Sequence, residues 1–238
     1  MPSADLAVSL RGVTRDYRGL RPLRIASLDL HQGQMLALLG FDQAMAEVLV
    51  KLVMGASLPD TGEVVVFGQR TSEIADGDAW LDGLDRFALL GDRTLLVDQL
   101  SAEQTIAMPI SFDVDEPSGS VRATVRGLAV ESGLDETALP QPVGALSPLA
   151  RARVRLARTL ASGPRLLLGE HPSASLSPDE TQAFAADVSR VVRTRGLTAL
   201  VLTADRRFAT AVSRQVLTLQ PATGALVATP GWRLWLHG

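Results

Sequence analysis

The chain has 238 residues, 46% of them hydrophobic, enough for one large or two small domains with a buried core. Its 23 basic and 26 acidic side chains leave a net charge of -3 spread along the chain, so no basic face points to nucleic acid. Cysteine is absent, which removes disulfides, zinc-thiolate centres and cysteine nucleophiles; the start of the chain has no basic-then-apolar leader, and no run nears the roughly 20 apolar residues of a spanning helix.

In chain order, Leu6 to Leu10 and Leu23 to Leu30 read as strands, and the apolar run Met35 to Leu39 reads as a short buried strand ending at Gly40. Met45, Val48, Leu49, Leu52 and Val53 then recur at three- and four-residue spacing, predicting a helix over Gln43 to Met54 that Gly55 closes. Pro59 to Gly62 is a turn before a strand over Glu63 to Phe67. From Ser72 to Gly144 the chain breaks into short pieces punctuated by glycine and proline, which suggests an inserted helical lobe.

The last third alternates regularly. A helix is predicted over Pro148 to Leu160, a buried strand over Arg165 to Leu168, a helix over Pro178 to Thr194, a strand over Thr198 to Leu202 and a helix over Arg206 to Val212. Strands near Val216 to Leu219 and Ala225 to Val227 end the series. Such alternation implies an α/β core with a largely parallel sheet.

Three stretches carry a family resemblance by their order and spacing: Pro59-Asp60-Thr61-Gly62-Glu63-Val64 with Phe67-Gly68; Leu146-Ser147 followed by Arg153-Val154, Leu156-Ala157-Arg158 and Pro164 to Leu168; and Leu202-Thr203-Ala204-Asp205. Over roughly Leu6 to Leu226 the chain resembles the nucleotide-binding domain of ABC transporters. Leu95-Leu96, Leu100-Ser101 and Ala107-Met108-Pro109 further resemble the branch serving lipoprotein release, macrolide export and cell division. The resemblance implies a P-loop NTPase fold: a mixed sheet core with an antiparallel β subdomain, residues of about 1–90 and 162–238, and a helical lobe of about 91–161.

Position by position, this sequence departs from the family's chemistry. A phosphate loop has the form G-x-x-x-x-G-K-[ST], in which glycine lets amides wrap the phosphates, lysine neutralises them and the hydroxyl holds magnesium. Beginning at Gly40, the second glycine, the lysine and the hydroxyl residue are replaced by Met45, Ala46 and Glu47. Carboxylates at Glu47 and Asp42 would each oppose a phosphate by about 4 kcal/mol at ~4 Å and an effective dielectric of about 20. Glu47 has the alternative role of an acid stabilising the first turn of the helix.

At the Walker B strand, Glu170 falls at the magnesium aspartate and His171 at the catalytic glutamate; the switch histidine falls on Ala204 and the Q-loop glutamine on Asp92 or Gly91. The D-loop aspartate falls on Ser177, a good N-cap before Pro178. The signature L-S-G-G-Q reads Leu146-Ser147-Pro148-Leu149-Ala150, which retains a serine and a helix start but loses both glycines. Tyr17, the only tyrosine, falls where the family stacks adenine.

The joint losses predict a degenerate member that is no enzyme, with no catalytic residue, no metal site and no cofactor beyond ATP and magnesium held weakly or by a partner. A second ATP-binding subunit, a competent paralogue, and transmembrane permease subunits are the expected partners. Docking is expected through Asp92, Gln99, Leu100 and Pro109, with the protein peripheral at the cytoplasmic face of the membrane. Two other readings stay open: slow hydrolysis through Glu170 and His171, and a stand-alone interaction module.

Overall fold

A computed structural model describes residues 5–92, 94–115 and 117–228. An antiparallel sheet is built from β1 (Leu6–Arg15), β2 (Leu23–His31), β4 (Thr61–Val66) and the short β5 (Gln69–Arg70), in the order β2-β1-β4-β5. The second sheet contains β3 (Met35–Leu39), β6 (Phe87–Gly91), β7 (Leu166–Glu170), β8 (Thr198–Thr203), β9 (Gln215–Gln220) and β10 (Ala225–Ala228). Its order is β10-β9-β3-β8-β7-β6, all neighbours parallel except β10 against β9.

The strands β3, β7 and β8 are apolar without alternation because both their faces are buried. Ala37, Leu39, Leu167, Ala199 and Val201 join one core with the helices α3 (Ala102–Ala107), α4 (Gly119–Glu131), α5 (Pro148–Ala161), α6 (Pro178–Arg195) and α7 (Arg206–Val212). Leu36, Leu38, Leu166, Leu168, Leu200 and Leu202, one residue out of step, face the other core, against the antiparallel sheet and α1 (Gln43–Val53). A short helix, α2 (Gly77–Gly83), leans on the end of α1, with Trp80 Nε1 donating to Met54 O at 2.9 Å.

Most expected elements fall where their periodicity predicts. The strand β6 does not: the sequence pattern gives no strand between Phe67 and Arg165, because Phe87–Gly91 is an edge strand whose Leu89 is 40% exposed. The expected first-turn role of Glu47 also needs correction. α1 has no acidic residue in its first turn; Asp42, just before it, is the cap, and Glu47 instead pairs with Lys51 at 2.7 Å.

Candidate functional site

Parallel pairing aligns the C-terminal ends of the central strands. Leu39 lies opposite Thr203, Leu202 opposite Glu170, and Glu170 opposite Gly91. Gly40, Gly91, Glu170, His171 and Ala204 therefore gather along one edge, where open α/β sheets place their ligands. A cleft of about 370 Å³ opens there between α1 and β6, bounded by Glu47, Lys51, Leu89, Gly91, Thr94 and Glu170 among others.

At the start of α1 the chain turns within three residues. Gly40 has φ +91°, a conformation that favours glycine, and its amide donates to Thr203 O at 3.2 Å. Phe41 is fully buried, and Asp42 caps the helix: Oδ1 accepts the Met45 amide at 2.8 Å and the Asp42 carbonyl accepts the Ala46 amide at 2.9 Å. Residues Gln43 to Glu47 are already helical, so the positions corresponding to the second half of a phosphate loop lie inside α1. Met45 is half-buried and Ala46 fully buried in the core shared with the antiparallel sheet.

Gln43 Nε2 donates to Glu170 Oε1, tying the first turn of α1 to the end of β7. His171 follows in the left-handed region, at φ 45°, with its amide on Leu202 O at 3.0 Å. Its Nε2 is sealed from solvent and has no hydrogen-bond partner, so in this conformation it does not face a water it could activate. Ala204 is exposed, and the neighbouring Asp205 caps α7, accepting the Arg207 and Phe208 amides and the Ser173 hydroxyl.

Tyr17 is half-buried against the core shared with the antiparallel sheet, and its hydroxyl pKa is raised by burial first and then by the charge of Asp42. Asp92 is committed to Arg155 at 2.8 Å and to the Ser175 hydroxyl at 3.0 Å. Ser147 caps α5 through the Ala150 amide at 3.2 Å, with Pro148 at the first helical position. Ser177 and Glu180 form a capping box on α6. The Glu180 carboxyl lies below its usual range because it accepts the Ser177 amide and hydroxyl and, more weakly, the Leu149 amide, so the signature helix start also has an internal carboxylate beside it.

Of the expected docking residues, Gln99 and Pro109 are exposed and Leu100 half-buried, in a stretch that also exposes Leu95, Met108 and Phe112. The Asp42 cap, the Gln43 to Glu170 bond and the Asp92 to Arg155 pair were missed at the sequence level. Only the first had a local signal, an aspartate immediately before an amphipathic run.

No protein-family model matches the chain. It is 28% identical over 238 residues to the methionine import ATP-binding protein MetN of Symbiobacterium thermophilum, covering 95% of this chain and 71% of that protein. It is 30% identical over 215 residues to the lipoprotein-releasing system ATP-binding protein LolD of Maricaulis maris, covering 89% of this chain and 93% of the relative. The chain spans 61% of the length of a Brucella abortus MetN. Among solved structures it matches the ATP-binding cassette MJ0796, in a dimeric post-hydrolysis state bound to ADP and Pi, with a TM-score of 0.71 at 20% identity, covering 90% of this chain and 94% of the other.

Two sheets sharing α1, with the helices on the outer face of the parallel one, are thus the fold of an ATP-binding cassette within the P-loop NTPases. The chain belongs to the family of ABC transporter ATP-binding proteins.

This kinship corrects the expectation that the chain is no enzyme: its relatives are ATP-binding proteins and its structural neighbour includes a cassette holding ADP and Pi, so its class is that of an ATPase. That expectation rested on single side chains at Ala46, His171 and Ala204, whereas the strand-loop-helix scaffold and a carboxylate, Glu170, at the end of β7 are both present.

Proposed function

We propose that this chain is an ATP-binding subunit of an ABC transporter whose own phosphate site is degenerate. It dimerises with a second, competent ATP-binding subunit and docks transmembrane subunits at the inner face of the membrane, in a structural or regulatory role. ATP with magnesium is held weakly at its own loop and turned over slowly there. The observation that carries this reading is the filled start of α1: the Asp42 carboxylate takes the Met45 amide, and Gln43 takes Glu170, where a phosphate would need free donors.

In this reading residues of about 91–161 form the lobe that meets the membrane subunit, with Asp92, Gln99, Leu100 and Pro109 on its docking face. The large apolar side chains exposed nearby, Leu95 at 84% and Phe112 at 111%, support it. Among the described residues no helix is long and apolar enough to cross a membrane, in keeping with attachment through a partner.

Two measurements test the proposal. The tagged protein drawn from native membranes should bring down both an ATPase chain and a transmembrane chain; recovery of neither would defeat it. Calorimetric titration of the isolated chain should give a dissociation constant for ATP-magnesium no tighter than about 1 mM. Micromolar binding would remove the degenerate site from the reading.

A further inference from the structure

We infer that the turn between β1 and β2 is a self-made cap on Tyr17, with Gly19 seated against the ring, so that a nucleobase can stack there only when the turn opens. A Cβ built on Gly19 would fall 2.5 Å from Cε2, 2.7 Å from Cζ and 3.0 Å from the hydroxyl oxygen of Tyr17. Gly19 has no positive φ, so its backbone conformation does not call for glycine, and the missing Cβ serves to admit the ring. Tyr17 also packs on the core shared with the antiparallel sheet. The ring is thus engaged by that core and by Gly19, both from its own chain.

The turn is held in this shape from its base. The Asp60 carboxylate accepts the Asp16 amide on Oδ2 at 2.6 Å and Arg15 Nη1 on Oδ1 at 2.7 Å, while the Asp60 amide donates to Thr14 O at 2.8 Å. Asp16 Oδ1 in its turn accepts the Arg18 amide at 2.8 Å, and Arg18 lies in the left-handed region at φ 61°, uncommon for a residue with a Cβ. That reversal carries Gly19 back onto the tyrosine two residues before it. Arg18, Gly19, Leu20 and Arg21 are all exposed, Leu20 completely. A segment with so little buried surface of its own opens at low cost, so the cap is removable in a way the core is not.

An aromatic side chain holds a base by stacking, which needs a ring free to receive it. The contact between Gly19 and Tyr17 rests on geometry alone. That the ligand kept from the ring is the base of ATP rests on the function proposed above. On that reading the chain contacts itself at two points where a nucleotide would contact it, through Asp42 at the start of α1 and through Gly19 at Tyr17.

Tyr17 is the only tyrosine, so fluorotyrosine labelling of the full chain gives one fluorine NMR signal, and its shift between light and heavy water reads the exposure of this ring. G19A places a methyl group where the ring lies without requiring a positive φ, whereas D16A removes the bond to the Arg18 amide and adds no atom. Both variants should enlarge the solvent shift. Both should also tighten binding of adenosine, which carries no phosphate to meet Asp42, by about fivefold or more. Adding Y17A to D16A should abolish that gain, and D16A decides the matter should G19A fail to fold. An unchanged solvent shift in the variants, or a freed ring with the parent's adenosine affinity, would overturn the inference. A gain in adenosine affinity alongside micromolar ATP-magnesium binding by the parent would keep the cap and defeat the degenerate phosphate site instead.

Discussion

The Asp42 carboxylate stands 2.8 Å from the Met45 amide, so the anion at the N-terminus of α1 is supplied by the chain itself. This arrangement stabilises the helix and opposes a phosphate at the same point. Replacing Asp42 by alanine should therefore move stability and nucleotide affinity in opposite directions. The expected loss of stability is about 1 kcal/mol, typical of a removed N-cap. Affinity for ATP-magnesium should rise, on the order of tenfold for a relieved repulsion near 1.4 kcal/mol. Thermal unfolding with and without nucleotide reads both; a D42A variant with the parent's nucleotide response would show that this carboxylate is not what limits binding.

Acid sensitivity should centre in part on Glu180. The Ser177 amide, the Ser177 hydroxyl and the Leu149 amide all favour its charged form, so its folded pKa lies below the reference value of 4.5. A group depressed in the folded state contributes stability that is fully present above its unfolded pKa and is lost as pH falls through the folded one. The parent should thus lose stability faster than E180Q below about pH 4.5, while their difference stays constant from there to neutrality. Melting curves for both across that range check this, and parallel acid limbs would remove Glu180 from the account.

Much of this architecture was legible because burial on both faces leaves a distinct mark. Met35–Leu39, Leu166–Glu170 and Thr198–Thr203 are short apolar runs, and each precedes a helix with an N-cap of Asp or Ser. The edge strand β6 left no such mark, since Leu89 points out and only Ala88, Leu90 and Gly91 are buried. At the site, identities along Gly40, Glu170 and Ala204 were readable from spacing. Their engagements were not, because Gln43 meets Glu170 across 127 residues and Asp92 meets Arg155 across a helical segment whose placement no local pattern encodes. Kinship rather than side-chain inventory set the class, since a missing lysine is a local fact and an ATP-binding cassette is a global one.

Asp187 of α6 is the shared acid of a double ion pair. It is 9% exposed and takes Arg153 on Oδ2 and Arg190 on Oδ1, both at 2.8 Å, while Arg190 also donates to Glu131 O. The network joins α6 to α5 and to the end of α4. Asp187 is buried but Arg153 and Arg190 are 25% and 43% exposed, so its removal leaves two partly solvated guanidiniums and should cost about 1 to 3 kcal/mol, the range for lost charge-assisted hydrogen bonds. D187A should lower the urea midpoint accordingly. D187N, which keeps one acceptor oxygen, should lose less, and equal losses in the two variants would mean that shape rather than charge matters there.

Gly62 explains why the Pro59 to Val64 motif ends its turn on glycine. It lies in β4 where β1 bulges between Arg11 and Thr14, and its φ of +86° is one that residues with a Cβ rarely adopt. An added Cβ would press into the backbone of Arg11 and Gly12, which no side-chain rotation can relieve. G62A therefore carries both a conformational strain of about 1 to 3 kcal/mol and a collision with main chain. The expected result is a large drop in thermal midpoint, with separation of β4 from β1 visible as faster exchange of the Val64 and Val66 amides. A variant as stable as the parent would mean that the bulge can shift to admit a methyl group. In that event the glycine of this motif would owe its place to something other than the close crossing of β1 and β4.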